Sequence, residues 1–245
     1  MLTTFAAYAQ QLELESEMRD RIRTVTKDID VIARVLQSHV AALHVSTSAE
    51  AVAAAVAQID QQLSVLAQQW PRLNAVVAPG QFYRFKNSWQ NCIRDACTVS
   101  VLRHWLTNNE LLSLEAVAAR LGVVPAAQGE AIDAVTLELE DFLFGVASVP
   151  SELSRLAVNA VTHGDFELPV RIGAFVSALY SAFRLINFKN DFLRRKYDSI
   201  KYDNSRIEGV LYDLRIRNLV QQGSGPTPGV AGAPAAAAPI QLDQQ

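Results

Sequence analysis

The fold is decided in the last third of the chain, which reads SAFRLINFKNDFLRRKYDSIKYD at residues 181–203. Around this stretch an apolar residue returns every seventh position, at Ile172, Leu179, Ile186, Leu193, Ile200, Ile207 and Leu214. Side chains that repeat every seven residues stay on one face of an α-helix, and such a face requires a helical partner. The pattern therefore predicts helices whose apolar face is covered.

Two arrangements would cover this face. A seven-residue repeat is more often a face packed in a helical bundle or at a subunit interface than a free-standing zipper. Asn190 and Asn204 occupy intermediate positions, where they would weaken a long zipper, and residues 187–190 are expected to break the helix. We predict bundle or interface packing, and we assign a homo-oligomer interface to Leu193, Ile200, Ile207 and Leu214.

The polar residues of the same region are unusually basic. Residues 184–217 contain nine Lys or Arg against five Asp or Glu, although the whole chain has a formal net charge of −3. An acidic protein that concentrates cations on one helix is expected to present them to an anion. The region therefore favours binding to a polyanion such as nucleic acid.

The composition predicts an all-α domain at residues 1–220 and a disordered Gly/Pro/Ala-rich tail at residues 221–245. Good helix formers dominate before residue 221, where Gly and Pro are sparse, and no period-two alternation indicates a strand. The tail has too little apolar bulk to fold. The signals at helix boundaries are Ser48 as an N-cap at a helix start, Gly164 as a left-handed C-cap at a helix stop, and Pro150, which predicts a kink or two abutting helices.

The remaining bulk features predict an intracellular protein without a membrane partner. The hydrophobic content is 50%, but we find no run of the roughly 18 apolar residues that a membrane span needs. The N-terminal residues lack the basic region of a secretory signal. Cys92 and Cys97 fit neither a CxxC motif nor a zinc pattern, which favours a reducing compartment.

Several strings of this chain resemble the translin family, which comprises translin and its partner Trax. They are SELSRLAVNAVTHGDF, FRLINFKNDFLRRKYDSIKYD and VLYDLRIR in the C-terminal half, with QFYRF and LEAVAARLGV in the middle. The resemblance covers roughly residues 17–217. It implies a seven-helix subunit of a hollow octamer that binds single-stranded RNA or DNA inside. It also implies a complex with a Trax-like subunit that acts as a Mg²⁺-dependent endoribonuclease in RNA silencing and tRNA processing, in the cytoplasm and nucleus.

Three groups of cations are candidates for contacts with nucleic acid, since phosphate binding needs cations on a rigid scaffold. They are Arg19 and Arg23 on the first helix, Arg84 and Lys86 among aromatic residues, and Arg194, Arg195 and Lys196 near the C-terminus. Tyr83, Phe85 and Trp89 are able to stack on unpaired bases. The alternative for each group is an ordinary one: the cations are solvated or paired, and the aromatic residues belong to the core.

Catalysis by this chain alone would need carboxylates gathered around Mg²⁺. The resemblance implies a remnant of such a site at Asp95, Asp141 and Glu152, with Thr98 standing where Trax has a carboxylate. We therefore expect no resident metal and no cofactor, with Mg²⁺ acting only in the complex with the catalytic partner. A nucleic-acid-binding scaffold is the leading interpretation. The alternatives are a weak Mg²⁺-dependent endoribonuclease and a purely structural shell that stabilises Trax.

Overall fold

The computed structural model describes residues 2–46, 48–126, 133–187, 189 and 191–220. Within them the helices are α1 (Leu2–Ala42), α2 (Ala49–Ala67), α3 (Trp70–Val76), α4 (Phe82–Phe85), α5 (Gln90–Asn108), α6 (Leu114–Leu121), α7 (Leu139–Thr162), α8 (Glu167–Phe183) and α9 (Asp191–Ile216), with a 3-10 turn at Lys86–Ser88. The prediction of an all-α subunit is confirmed. The predicted count of seven is close: in the described residues seven helices have eight residues or more, and α3 and α4 are shorter.

A short parallel pair of strands, β1 (Val124–Pro125) and β2 (Thr136–Leu137), was not expected from the sequence. Each strand has two residues, which is too short for alternation of apolar and polar residues to show. Asn74 accepts a hydrogen bond from the backbone N–H of Val135 at 2.9 Å, which ties this segment to α3. The pair closes the loop before α7.

The predicted tail at residues 221–245 lies outside the described residues.

The helix ends follow local chemistry that the sequence displays. Ser48 and Ser113 are extended N-caps, and each hydroxyl accepts a hydrogen bond from the backbone N–H three residues later. Gly164 has a φ of 82°, as the predicted stop after α7 requires. At Gly122, where φ is 68°, an added Cβ would also lie 2.9 Å from Cβ of Ala67. This glycine therefore allows α6 to end against α2.

The centre of the bundle is the contact between α5 and α7. An added Cβ at Gly145 would lie 2.6 Å from Sγ of Cys97, so only glycine permits this approach. Thr98 donates its hydroxyl hydrogen to carbonyl oxygens of both helices, at 2.9 Å to Arg94 and 3.2 Å to Gly145. Helix α7 continues through Pro150, which is buried, instead of splitting there. The alternative of two abutting helices is therefore replaced by one helix of 24 residues.

The heptad residues of α9 are buried inside the subunit, which corrects their assignment to an interface between subunits. Leu193, Ile200, Ile207 and Leu214 are 5%, 0%, 0% and 2% exposed in the single chain. Helix α9 packs against α7 and α8, where Gly173 of α8 leaves room for Leu211 and Ile207. The heptad repeat therefore marks the core of one bundle.

No helix in the described residues is long and apolar enough to cross a membrane.

Candidate nucleic-acid interface

Glu15 brings together two of the arginines that were predicted to contact nucleic acid. Its carboxylate pairs with Arg19 one turn further along α1 and with Arg84 of α4. The side chain of Glu15 is only 16% exposed, whereas those of Arg19 and Arg84 are 66% and 52% exposed. A single acid therefore orients two guanidinium groups whose outer faces remain in water. Arg23, one turn beyond Arg19, is exposed as well.

The aromatic residues around Arg84 divide into two kinds. Phe85 and Trp89 are buried, and Trp89 makes an edge contact with Phe82, with ring centroids 6.2 Å apart. These rings anchor the segment in the core. Tyr83 is instead 72% exposed and lies 5.9 Å from Nζ of Lys86. Of the three candidate stacking residues, Tyr83 alone offers its ring to solvent, directly beside Arg84.

Lys86, which was a candidate for nucleic-acid contact, lies mostly buried among carboxylates of its own subunit. Its side chain is 19% exposed, and its ammonium lies 2.5 Å from Glu138 and 3.3 Å from Asp141. Asp141 is 1% exposed and also accepts hydrogen bonds from Nε of Arg94 at 2.7 Å and from Nε2 of Gln90 at 2.9 Å. Because a buried carboxylate needs compensating charge, Lys86 is held inside this cluster.

Arg94 joins the two candidate regions, and the sequence analysis did not single it out. Besides its bond to Asp141, its guanidinium carbon lies 5.0 Å from the ring of Phe144 and 4.8 Å from the ring of Phe192. The two rings stack on each other with centroids 4.9 Å apart. A continuous set of contacts therefore runs from Lys86 through Asp141 and Arg94 to the start of α9. In the sequence Arg94 is followed by Asp95, and such a pair of opposite charges is typical of a solvated helix face. The sequence pattern therefore did not distinguish Arg94.

The basic triplet of α9, Arg194 to Lys196, begins two residues after Phe192. Its three members differ in their exposure. Arg194 and Arg195 are exposed. Lys196 is half-buried, and its Nζ lies 5.5 Å from the ring of Phe144. Lys196 is therefore less open to a ligand than Arg194 and Arg195. We call Arg19, Arg23, Arg84, Arg194 and Arg195 the basic end. Glu15 links Arg19 to Arg84, and the contacts through Asp141 and Arg94 link the turn after α4 to the start of α9.

Lys196 faces carboxylates of its own subunit. Desolvation raises the pKa of Asp95, and the charge of Lys196 opposes that rise. Burial raises the pKa of Asp203. A hydrogen bond from Ser154 and the positive charges of Arg206 and Lys196 act to lower that pKa. Lys196 also helps to lower the pKa of Glu152, after the stronger effect of a hydrogen bond from His44. The positive charge of Lys196 thus acts to lower the pKa of three carboxyl groups, one each on α5, α7 and α9.

The three acids assigned to a metal-site remnant do not fit a metal as they are placed. Lys86 and Arg94 hold Asp141, and the Oε2 atom of Glu152 lies 2.8 Å from Nε2 of the buried His44. Asp95 is on the exposed side of α5. The described residues contain no group of three or more His, Cys, Asp or Glu side chains arranged to hold a metal ion. Cations of the chain itself stand beside the carboxylates that Mg²⁺ would require.

The fold and this geometry define an all-α bundle subunit with arginines exposed at one end. The model of the Translin family matches residues 17–218, and the chain belongs to that family. Translin of Gallus gallus is 33% identical over 221 residues, which cover 90% of this chain and 95% of that protein. Translin of Mus musculus is 34% identical over 208 residues, with coverages of 85% and 90%. Translin-associated protein X of Rattus norvegicus is 22% identical over 232 residues, with coverages of 89% and 79%.

Two solved structures share the fold at low sequence identity. The crystal structure of apo-NeC3PO has a TM-score of 0.59 and 13% identity, and the match covers 84% of this chain and 95% of that one. The structure of AfC3PO in complex with duplex RNA has a TM-score of 0.57 and 13% identity, with coverages of 89% and 100%. These likenesses support the all-α architecture.

Proposed function

We propose that this protein is a nucleic-acid-binding scaffold subunit that assembles into a hollow octamer. The observation that carries the proposal is the basic end, where α1, α4 and α9 expose five arginines although the chain is acidic overall. A rigid helical scaffold holds these guanidinium groups, and phosphates are their natural ligands. Binding through such contacts is independent of base sequence and falls steeply as salt rises.

Single-stranded RNA or DNA is the proposed form of the ligand. The exposed ring of Tyr83 lies next to Arg84, so a base and its phosphate have adjacent partners. A base in a duplex is already stacked and offers no free face to such a ring. A flexible strand also enters a closed shell more readily than a duplex, whose persistence length is about 50 nm.

The second part of the proposal concerns the partner. The relatives include Translin-associated protein X, so a Trax-like subunit is the proposed partner in a mixed shell. In that complex this chain would bind and position RNA, and the partner would supply the Mg²⁺-dependent cleavage used in RNA silencing and tRNA processing. We place this complex in the cytoplasm and nucleus.

The alternative of intrinsic nuclease activity has less support. Metal-assisted cleavage needs carboxylates that are open to Mg²⁺, whereas Asp141 is 1% exposed and is paired with Lys86 and Arg94. A purely structural shell would give no reason for an exposed tyrosine directly beside the exposed Arg84. The scaffold with a binding surface therefore accounts for more of the molecule than either alternative.

Removal of three arginines tests the binding surface. We expect the triple variant Arg84→Ala, Arg194→Ala and Arg195→Ala to bind a labelled single strand more weakly. The slope of log affinity against log salt should fall by about 2, because each lost single-strand phosphate contact removes about 0.7. The matched control replaces three exposed arginines elsewhere, Arg34, Arg72 and Arg171, with Ala and removes the same charge. Equal weakening in both variants would mean that only net charge matters and would contradict a defined site.

Incubation with metal tests the enzyme alternative. We expect the purified protein without a Trax-like subunit to leave a labelled single-stranded RNA intact in Mg²⁺ or Mn²⁺, because cations of the chain itself hold Asp141. Gel analysis of the RNA over time is the measurement, and the variant Glu152→Ala is the control for contaminating nuclease. Cleavage by the wild-type protein that disappears in Glu152→Ala would make the enzyme interpretation primary.

A further inference from the structure

Helix α9 carries a second stripe on the side opposite its buried heptad. It consists of Tyr202, Ser205, Gly209, Tyr212 and Ile216, which alternate steps of three and four residues. All of them are exposed, with Tyr202 at 74%, Tyr212 at 64% and Ile216 at 60%. Large apolar groups at this spacing form the contact seam of a helix pair, and the subunit itself leaves the seam uncovered.

The small residues in the middle of this outer stripe are the second observation. A Cβ added at Gly209 would meet nothing within 4 Å, so nothing inside the subunit requires a glycine there. Glycine also weakens a helix interior relative to alanine. Gly209 and Ser205 put little side-chain bulk between Tyr202 and Tyr212, which leaves room for a large side chain from outside.

The charges that flank the outer stripe decide its orientation. Arg206 and Asp213 line one edge, and Lys201, Glu208 and Arg215 line the other; all five are exposed. In an antiparallel pair of identical helices, each edge faces the same edge of the other copy. Arg206 then faces Asp213 of the second copy, and Glu208 faces Arg215 of the second copy, so both edges match in sign.

A parallel pair would bring opposite edges together and create repulsion. Lys201 would face Arg206 of the second copy, and Glu208 would face Asp213 of the second copy. Like charges across an interface disfavour that arrangement. The sequence of α9 is therefore complementary to itself under a two-fold axis, which indicates a second copy of this chain as the occupant.

We propose that two subunits pair through the outer stripes of their α9 helices, antiparallel and across a two-fold axis. Ser205 then meets Ile216 of the second copy, and Gly209 meets Tyr212, so that each small residue receives a large one. The inference rests on the homo-oligomer of the proposed function and assigns one of its interfaces. A two-fold contact of this kind supplies the dimers from which a closed shell is built.

A charge swap tests the pairing. Arg206→Asp places two aspartates opposite each other at two symmetry-related positions, and we expect the dissociation constant of the dimer to rise at least about tenfold. Adding Asp213→Arg restores opposite charges and should return the wild-type value. Analytical ultracentrifugation measures association, and circular dichroism checks that the helices persist. Full association of the single variant, or no recovery in the double variant, would overturn the proposal.

Cysteine cross-linking tests the orientation. Copies with Ser205→Cys mixed with copies carrying Ile216→Cys should form a disulfide-linked pair on oxidation. Ser205→Cys alone should not, because the two positions would lie about 16 Å apart along antiparallel helices. Cys92 and Cys97 are buried and do not compete. Efficient linkage of Ser205→Cys alone would overturn the antiparallel arrangement, and so would failure of the mixture in an associated sample.

A bulky residue at the close approach is a third probe. Gly209→Leu meets open space in the single subunit and favours the helix, so it should keep or raise the helical signal while weakening association at least about tenfold. Nucleic-acid binding is measured on the same samples. If the wild-type protein associates and binds RNA, and these variants associate to the same extent, this interface is refuted. The proposed function is left intact by that result. A wild-type protein that stays monomeric would refute both.

Discussion

The variant Asp141→Ala is expected to lose about 3–5 kcal/mol of folding free energy, the range for removal of one partner of a buried ion pair. Asp141 is 1% exposed, while Lys86 and Arg94 are 19% and 12% exposed in their side chains. Without the carboxylate both cations remain inside the bundle with no compensating charge in this cluster other than Glu138. Urea denaturation followed by circular dichroism measures the loss.

Asp28→Ala is the matched control, since it breaks an ion pair of 3.1 Å with Arg72 in which both side chains are more than half exposed. A surface pair contributes about 0–1 kcal/mol, so this control should stay near wild type. Replacing Asp141, Lys86 and Arg94 together by Leu, Met and Met should cost less than Asp141→Ala alone, because only Glu138, whose side chain is 20% exposed, then loses its partner. Equal stability of Asp141→Ala and Asp28→Ala would contradict the cation-held cluster.

The variant Ile207→Ala is expected to lose about 2–5 kcal/mol, the usual cost of truncating a fully buried aliphatic side chain. Ile207 is 0% exposed and lies against α8 beside Gly173. Ile186→Ala is the control: this residue belongs to the same seven-residue repeat but is 40% exposed between α8 and α9. Both are measured by urea denaturation at one protein concentration, so that association contributes equally.

This pair separates the two faces of α9. A loss at Ile207 with little loss at Ile186 would agree with a heptad that serves the core of one subunit. Equal small losses would mean that the Ile207 face is not packed within the subunit and would return that face to the interface between subunits. The inner heptad should therefore control folding, and the outer stripe should control association.

The helices were predictable because their signals are local. Ser48 and Ser113 mark helix starts through bonds to residues three positions away, and Gly164 marks a stop through its own φ angle. The heptad of α9 was visible too, but periodicity reveals only that one face is covered and not by what. The two-residue strands β1 and β2 are too short to leave any pattern.

The candidate site was only partly predictable because its pairings are distant in the chain. Lys86 and Asp141 are 55 positions apart in the sequence, and no local pattern shows that the ammonium turns inward to that carboxylate. The pairing of Arg84 with Glu15 likewise spans 69 positions. Burial separated Tyr83 from Phe85 and Trp89, although all three have similar sequence surroundings. The resemblance to the translin family suggested the candidate regions, and the structure shows which of their arginines are exposed.

The central claim is that the basic end binds nucleic acid, and a titration of the wild-type protein tests it most directly. A labelled single-stranded RNA is titrated with the protein in EDTA, by fluorescence anisotropy, at several salt concentrations and beside a duplex of the same sequence. The account predicts saturable binding to the single strand that is tighter than to the duplex and weakens steeply as salt rises. Absence of binding at low salt would contradict it, as would an affinity that does not change with salt.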